Sequence, residues 1–332
     1  MRILIVAIFS LGWLGASAQS RDSVKQDTLK HRKFLTMVNF NKDQSYVSFG
    51  SGLGNQRPIL FEANLSPSYY ISNQSKNWAL VMNPQVQIRM LDEKSQPVQT
   101  PSYRFFLTYY HNLTFWKKSF LKRILYQDAI WFASMAHHSN GQSGEFYIND
   151  STKIIDLENG NFAVNFIQLG VSSFTISPSG GDYFSLRALK IHTEIYPAGL
   201  SDPHLDGQYG YYRLFGTFDF AGPWKKEKND VINRWLHNSS IEVKAGWIFG
   251  EFRSYETYDV DKRLILDISY KYYPPWFDEI AFFLRFYSGQ DYYNIYYEKK
   301  LVNLSIGITS NTIKLSNAVR NMGTRRKQTG TK

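Results

Sequence analysis

Hydrophobic and polar residues alternate along several stretches of the chain. The clearest run, residues 302–309, has apolar side chains at even positions and polar or small residues at odd positions. Residues 212–220 and 264–272 alternate in a similar way. Because successive side chains of a strand point to opposite faces, the pattern predicts strands with one apolar and one polar face. The strands of soluble β-sandwiches alternate in the same way, so the number and length of the strands must distinguish a sandwich from a membrane barrel.

Strand-like segments follow one another along most of the chain. They are 45–52, 59–72, 77–91, 102–115, 126–139, 161–177, 183–197, 208–222, 235–250, 262–273, 279–290 and 298–312. An even number of strands of about ten residues is what a single-chain outer-membrane barrel requires. We therefore expect an all-β protein, a 12-stranded antiparallel transmembrane β-barrel of the outer membrane.

The connections between these segments predict an orientation. The short ones are 73–76, 178–182 and 274–278, and the longer ones are 91–101, 140–160 and 199–207. Outer-membrane barrels have short periplasmic turns and longer external loops. The loop 140–160 is therefore expected to face outside, although 116–124 and 223–233 are long for periplasmic turns.

The ends of the chain differ from its middle. Residues 1–18 combine Arg2, an apolar run and the small residues of Ala16-Ser17-Ala18, which together predict a secretory signal peptide. We expect an N-terminal periplasmic segment at 19–44, the barrel at 45–312 and a basic, disordered tail at 313–332. No later window is long and apolar enough for a membrane-spanning helix.

Composition agrees with a membrane barrel. Aromatic residues make up 17% of the 332-residue chain, which suits pleated strands and membrane interfaces. The net charge is +10, but several of the basic residues lie at 21–33 and 314–332. This distribution favours anionic lipid or flexible-end charge over nucleic acid as a partner. The chain has no cysteine, which excludes disulfides, thiolate metal sites and cysteine nucleophiles.

A histidine and a serine stand two positions apart in the sequence His137-His138-Ser139-Asn140-Gly141. In a strand, His137 and Ser139 lie on one face, about 7 Å apart along the backbone. A neighbouring imidazole is the usual means of activating a serine hydroxyl as a nucleophile. His137 and Ser139 are thus a candidate catalytic dyad.

The pattern of strand faces places this dyad towards lipid. His137 and Ser139 share their face with an apolar row of Trp131, Ala133 and Met135. Polar groups turned towards hydrocarbon are costly and are usually functional. By the same pattern, His138 faces the lumen.

An asparagine on the following strand could complete a triad. Asn165 interrupts an apolar row that includes Ala163 and Ile167, and neighbouring antiparallel strands bring cross-strand partners within about 5 Å. Asn165 could therefore orient His137. Asn161 has the same parity and is the alternative; we prefer Asn165.

The chain resembles outer membrane phospholipase A at these residues. His137, Ser139, Asn140 and Gly141 match the H-x-S-N-G motif of that family, and residues 159–162 and 287–289 are also similar to it. The resemblance covers roughly residues 60–312 and implies a Ser-His-Asn triad on the lipid-facing wall. It also implies a calcium-dependent homodimer in the outer membrane that hydrolyses the acyl esters of membrane glycerophospholipids.

The resemblance implies calcium ligands as well. Gln142 stands where the family has a basic residue that offers its backbone carbonyl, Ser95 matches a serine that binds across the dimer interface, and Ser151 is a further candidate. The loop between Gly141 and Asn165 is longer than the family pattern predicts. The alternatives from the sequence are a passive porin or structural barrel without catalysis, and a lipid A deacylase on a similar barrel.

Overall fold

The computed structural model describes residues 21–53, 58–73, 77–95, 98–113, 128–149, 151–180, 183–222, 230–274, 276–277 and 280–310. The predicted signal peptide and C-terminal tail lie outside these residues. Three α-helices are described: α1 (Arg21–Asn41), α2 (Asp230–His237) and α3 (Val260–Arg263). None of the described helices is long and apolar enough to cross a membrane.

The described strands follow the predicted segments closely. They are β1 (Tyr46–Gly52), β2 (Ile59–Leu65), β3 (Tyr69–Asn73), β4 (Trp78–Leu91), β5 (Ser102–Leu113), β6 (Asp128–Ser139), β7 (Tyr147–Asn149), β8 (Ile154–Ile155), β9 (Ala163–Gly180), β10 (Tyr183–Ile195), β11 (Tyr212–Ala221), β12 (Ser239–Phe249), β13 (Leu264–Tyr272), β14 (Ile280–Gln290) and β15 (Lys300–Ser310). Short 3-10 helices lie at Pro203–Leu205 and Asn294–Glu298.

Twelve of these strands form a closed antiparallel barrel, as the sequence predicted. The order around the wall is β2-β1-β15-β14-β13-β12-β11-β10-β9-β6-β5-β4, and β2 pairs with β4 to close it. The short β3 also pairs with β4 and continues the line of β2. β7 and β8 form a separate hairpin within the loop between β6 and β9. The end of the barrel that carries this loop is the loop end, and the opposite end is the turn end.

Two predicted segments differ from the structure for local reasons. The predicted strand 59–72 is interrupted at Pro67, which has no N–H to donate to a ladder. There the Asn83 side chain donates to the Pro67 carbonyl at 2.7 Å. The predicted strand 235–250 begins only at Ser239, because the residues before it form α2 and the Ser239 hydroxyl donates to the Trp235 carbonyl at 2.8 Å.

The lumen contains ion pairs and aromatic side chains. Arg285 pairs with Asp267 at 2.8 Å, and Lys271 pairs with Glu242 at 3.0 Å. Both ion pairs join neighbouring strands. Arg213 lies over the rings of Tyr196 and Tyr209 at the loop end.

Helix α1 lies inside the barrel at the turn end. Phe34 and Val38 are fully buried and pack against inward-facing side chains of the wall, among them Tyr110 and Phe132. Lys33 also forms an ion pair with Asp128 at 2.5 Å. A cavity of about 390 Å³ remains beyond the helix, lined largely by polar side chains. The helix therefore occupies the lumen at this end.

The loops pack together at the other end of the barrel. A buried aromatic cluster includes Phe146, Phe162, Tyr209 and Tyr297, and it joins the loops that follow β6, β10 and β14. This packing covers the loop end of the lumen. It also holds in place the loop between β6 and β9, which contains Phe146 and Phe162.

Candidate active site

Strand β6 carries His137 and Ser139 on the outer wall of the barrel. Inward positions of β6, such as Ser134 and His138, are buried, whereas Met135 on the outer face is 70% exposed. His137 and Ser139 have the same parity as Met135 and are partly exposed. The alternation of one strand thus separates two adjacent histidines, with His137 facing outward and His138 facing inward.

The register of the neighbouring strand places Asn165 directly opposite His137. His137 Nδ1 and Asn165 Oδ1 are 2.9 Å apart, within hydrogen-bonding distance. The Asn165 amide nitrogen donates to the backbone carbonyl of Leu200, which assigns the amide oxygen to His137. His137 Nδ1–H is therefore the donor, and Nε2 is left as the basic nitrogen of a neutral imidazole.

The loop after β10 fixes the backbone at Asn165. The Asn165 N–H donates to the Ser201 hydroxyl at 3.1 Å. Leu200 and Ser201 therefore bind both the side chain and the main chain of Asn165. The sequence did not indicate these two residues, because they lie some 35 positions away in an irregular loop.

Ser139 is the last residue of β6, where the strand meets the loop end. Its cross-strand partners are Tyr103 on β5 and Ala163 on β9. Within the described part of the chain no hydrogen bond joins the Ser139 hydroxyl to His137. Catalytic hydrogen bonds are often long in proteins without substrate, so the shared face and the spacing are the relevant geometry.

Asn140 anchors the loop that begins at this point. It is 3% exposed, its side chain donates to the Gly160 carbonyl at 2.8 Å, and its Oδ1 accepts the N–H of Phe162 at 3.0 Å. Gly141 follows with φ of +70°, a conformation that favours glycine. The Asn-Gly pair therefore ties the start of the loop to its end and turns the chain beside Ser139.

The side chains of the two other polar candidates, His138 and Asn161, bond to residues other than His137. His138 is buried, with Nε2 at 2.6 Å from the hydroxyl of Ser102. Asn161 donates to Asp202 Oδ2 at 2.9 Å. Of the two asparagines that the sequence left open, Asn165 is the one hydrogen-bonded to His137.

The three predicted calcium ligands lie on different parts of the loop end. Ser95 and Ser151 are exposed loop residues, and the Ser151 N–H donates to Asn149 Oδ1 at 2.8 Å. The Gln142 N–H donates to Asn140 Oδ1 at 3.2 Å, and no described residue donates to the Gln142 carbonyl. Their neutral oxygens are of the kind calcium binds. The described residues contain no group of three or more His, Cys, Asp or Glu side chains that could hold a metal.

Comparison with known proteins found similar solved structures, but no similarity at the level of sequence or family. No family model matches the chain, and no curated protein matches its sequence. Outer membrane phospholipase A from Escherichia coli superimposes with a TM-score of 0.52 and 11% identity, over 81% of this chain and 96% of that one. An active-site mutant of that protein superimposes with a TM-score of 0.50 and 13% identity, over 85% of this chain and 98% of that one.

A dimeric, calcium-bound outer membrane phospholipase from Salmonella typhi also matches, with a TM-score of 0.49 and 12% identity, over 81% of this chain and 91% of that one. The chain therefore has the fold of an outer-membrane β-barrel, similar to that of outer membrane phospholipase A. Identities of this size show a shared fold and do not show a shared activity.

Proposed function

We propose that the protein is an outer-membrane phospholipase that hydrolyses acyl esters of glycerophospholipids. The observation that carries this proposal is the hydrogen bond between His137 and Asn165 on the outer wall, beside Ser139. A serine, a histidine and a group that orients the histidine are the components of a serine hydrolase. The experiment is fatty acid release from phospholipid–detergent micelles by the refolded, heat-modifiable protein, and absence of release would contradict the proposal.

In the proposed reaction His137 Nε2 takes the proton of the Ser139 hydroxyl as its oxygen attacks the ester carbonyl. The Ser139 oxygen forms a bond to the acyl carbon, and the ester C–O bond breaks. His137 returns the proton to the leaving lysophospholipid. Water, activated by the same imidazole, then hydrolyses the acyl–serine ester and restores the enzyme. Asn165 keeps the proton on Nδ1 throughout, so that Nε2 stays available.

The position of the triad favours a lipid substrate. Ser139 ends β6 on an apolar wall, so a phospholipid in the surrounding leaflet would bring its ester linkage to the level of the strand end. Exposed Tyr103 and Phe105 on β5 flank the dyad and supply apolar surface for an acyl chain. The Gly141 N–H has no hydrogen-bond partner among the described residues and is available as a donor to the developing oxyanion.

Calcium is the cofactor that we propose, on the basis of the resemblance at His137-x-Ser139-Asn140-Gly141. The Gln142 carbonyl and the hydroxyls of Ser95 and Ser151 would hold it, with Ser95 supplied by a second copy. When bound, calcium would supply positive charge near the ester oxygen. A homodimer is proposed on the same basis.

Removal of calcium is expected to abolish fatty acid release. Chelation of calcium in the micelle assay is the measurement, with restoration by added calcium and not by an equal concentration of magnesium, which requires stricter octahedral geometry. Ser95→Ala and Ser151→Ala should each raise the calcium concentration needed for half-maximal activity, whereas Gln142→Ala should not, because its ligand is a backbone oxygen. Unchanged activity in the chelator would exclude the calcium proposal while leaving the triad intact.

Asn165→Ala is expected to reduce kcat by about 10²-fold, because an imidazole without its orienting acceptor populates the wrong tautomer and rotamer. Initial rates of fatty acid release measure this effect. Asn161→Ala is the matched control, since Asn161 bonds to Asp202 and not to His137. A larger loss in Asn161→Ala than in Asn165→Ala would overturn the assignment of the triad's third member.

The porin alternative is disfavoured by the contents of the lumen. Phe34 and Val38 of α1 fill the turn end, and ion pairs between neighbouring strands, such as Arg285–Asp267, project into the lumen. In planar bilayers we therefore expect no steady conductance from the intact protein. The double variant Phe34→Ala, Val38→Ala, which loses about 3–5 kcal/mol of packing at Phe34 alone, should conduct more often than the parent. Stable open channels in the parent would favour the porin.

A further inference from the structure

Helix α2 lies at the turn end of the barrel, in the connection between β11 and β12. It is eight residues long and places Val231, Ile232 and Trp235 on one side, at positions i, i+1 and i+4. These side chains are 64%, 46% and 49% exposed. A short helix that presents three large apolar side chains on one side has the pattern of an interfacial helix.

Contacts with the barrel show which side of the wall α2 is on. The Trp235 ring stacks on the Tyr270 ring, with centroids 5.8 Å apart and an interplanar angle of 29°. Tyr270 has the outward parity of β13, opposite to that of the inward Asp267 and Lys271. The Tyr270 hydroxyl is also 2.8 Å from the Ser239 hydroxyl, which donates in turn to the Trp235 carbonyl. The helix is therefore held against the outer surface of the wall, outside the lumen.

The same rim of the barrel carries other outward aromatic residues. Trp78 stacks on Tyr109 at 6.2 Å, and Tyr109 contacts Trp131 at 5.5 Å, on the opposite part of the wall. In the turn after β13, Trp276 and Phe277 are 69% and 45% exposed. Aromatic girdles of this kind mark the level of the membrane–water interface in barrels. Trp235 belongs to this girdle through its contact with Tyr270.

We propose that α2 is a membrane-interface helix, with Val231, Ile232 and Trp235 inserted among the lipids of the leaflet at the turn end. The occupant is lipid because the apolar side of α2 is continuous with a wall that already faces lipid. The predicted orientation makes this the periplasmic leaflet. The proposal concerns only the anchoring of the barrel, so it stands or fails independently of the chemistry at Ser139.

The absence of cysteine from the chain allows a direct test. Single Val231→Cys and Ile232→Cys variants would be labelled with an environment-sensitive fluorophore, and the full-length protein reconstituted in phosphatidylcholine–phosphatidylglycerol vesicles. Thr152→Cys, an exposed residue of the β7–β8 hairpin at the loop end, is the matched control. Heat-modifiable migration would establish that each labelled barrel is folded.

We expect labels at 231 and 232 to be quenched more strongly by a nitroxide on the upper acyl chain than by one on the headgroup, since interfacial helices bury about 5–10 Å into this region. The same labels should be shielded from aqueous iodide, and the label at 152 should show the reverse. Labels at 231 and 232 as open to iodide as the label at 152 would overturn the proposal. Shielding that appears only at high protein density would also overturn it, because the occupant would then be a second copy.

Discussion

Replacement of Ser139 by alanine is expected to reduce phospholipid hydrolysis by about 10³- to 10⁶-fold, the loss that removal of a nucleophile causes in serine hydrolases. The variant should fold normally, because the Ser139 hydroxyl lies on the outer wall and no described residue forms a hydrogen bond with it. The measurement is the initial rate of fatty acid release from mixed micelles. Folding is checked by heat-modifiable migration on the same samples.

Ser134→Ala is the matched control on the same strand. Ser134 faces inward, is 2% exposed, and its hydroxyl is 2.8 Å from that of Thr108. Its replacement should cost about 1 kcal/mol of stability and leave turnover close to that of the parent. Retained activity in Ser139→Ala would contradict the proposed mechanism. Equal losses in both variants would indicate a structural effect of substitution on β6.

The second large loss of turnover is expected from substitution of His137, the first of the two adjacent histidines. His137→Ala is expected to lower kcat by about 10³-fold or more, because the general base and the proton donor to the leaving group are both lost. The stability of the barrel should change little, because His137 is on the outer face. Rates of fatty acid release measure turnover. The temperature at which electrophoretic migration becomes that of the unfolded chain measures the stability of the barrel.

His138→Gln should show the opposite behaviour. His138 is buried in the lumen against Ser102, so its replacement should destabilise the barrel by about 1–3 kcal/mol and leave kcat nearly unchanged. This pair of neighbouring substitutions distinguishes the base from its neighbour without altering the strand. If His138→Gln lost turnover while His137→Ala kept it, the proposed base would be wrong.

The period of two made the outer-wall residues predictable from the sequence. The parity of His137, Ser139 and Asn165 does not depend on where a strand begins or ends, so errors at the boundaries of β6 and β9 do not affect it. Parity alone did not fix the register, because a slip of two residues keeps every side chain on its own face, and Asn161 has the same parity as Asn165. The pairing of β6 with β9 in the structure places Asn165, and not Asn161, opposite His137.

Contacts made by irregular segments were not predictable in this way. Leu200 and Ser201 reach Asn165 from a loop whose path depends on the packing of the whole loop end, and no local pattern encodes that path. Helix α1 was missed for a related reason. Its buried residues Phe34 and Val38 pack against the wall of the lumen, a partner that exists only once the barrel has closed.

Asn140 belongs to the H-x-S-N-G motif, but its contribution in the structure is to hold the loop. It stands beside Ser139 in the sequence, yet its side chain bonds to Gly160 and Phe162, across the loop. The Asn-Gly pair therefore holds the long loop between β6 and β9 closed beside the site. The loop contains the β7–β8 hairpin, and the strands that it joins, β6 and β9, pair directly with each other.

The central claim is that Ser139 is a nucleophile activated by His137. The most direct measurement is mass spectrometry of the folded protein after reaction with a long-chain alkyl fluorophosphonate, which traps activated serines. Our account predicts one adduct, located on Ser139, that does not form in His137→Ala and forms slowly in Asn165→Ala. An unmodified Ser139 in protein that hydrolyses phospholipid, or an adduct on another serine, would contradict it.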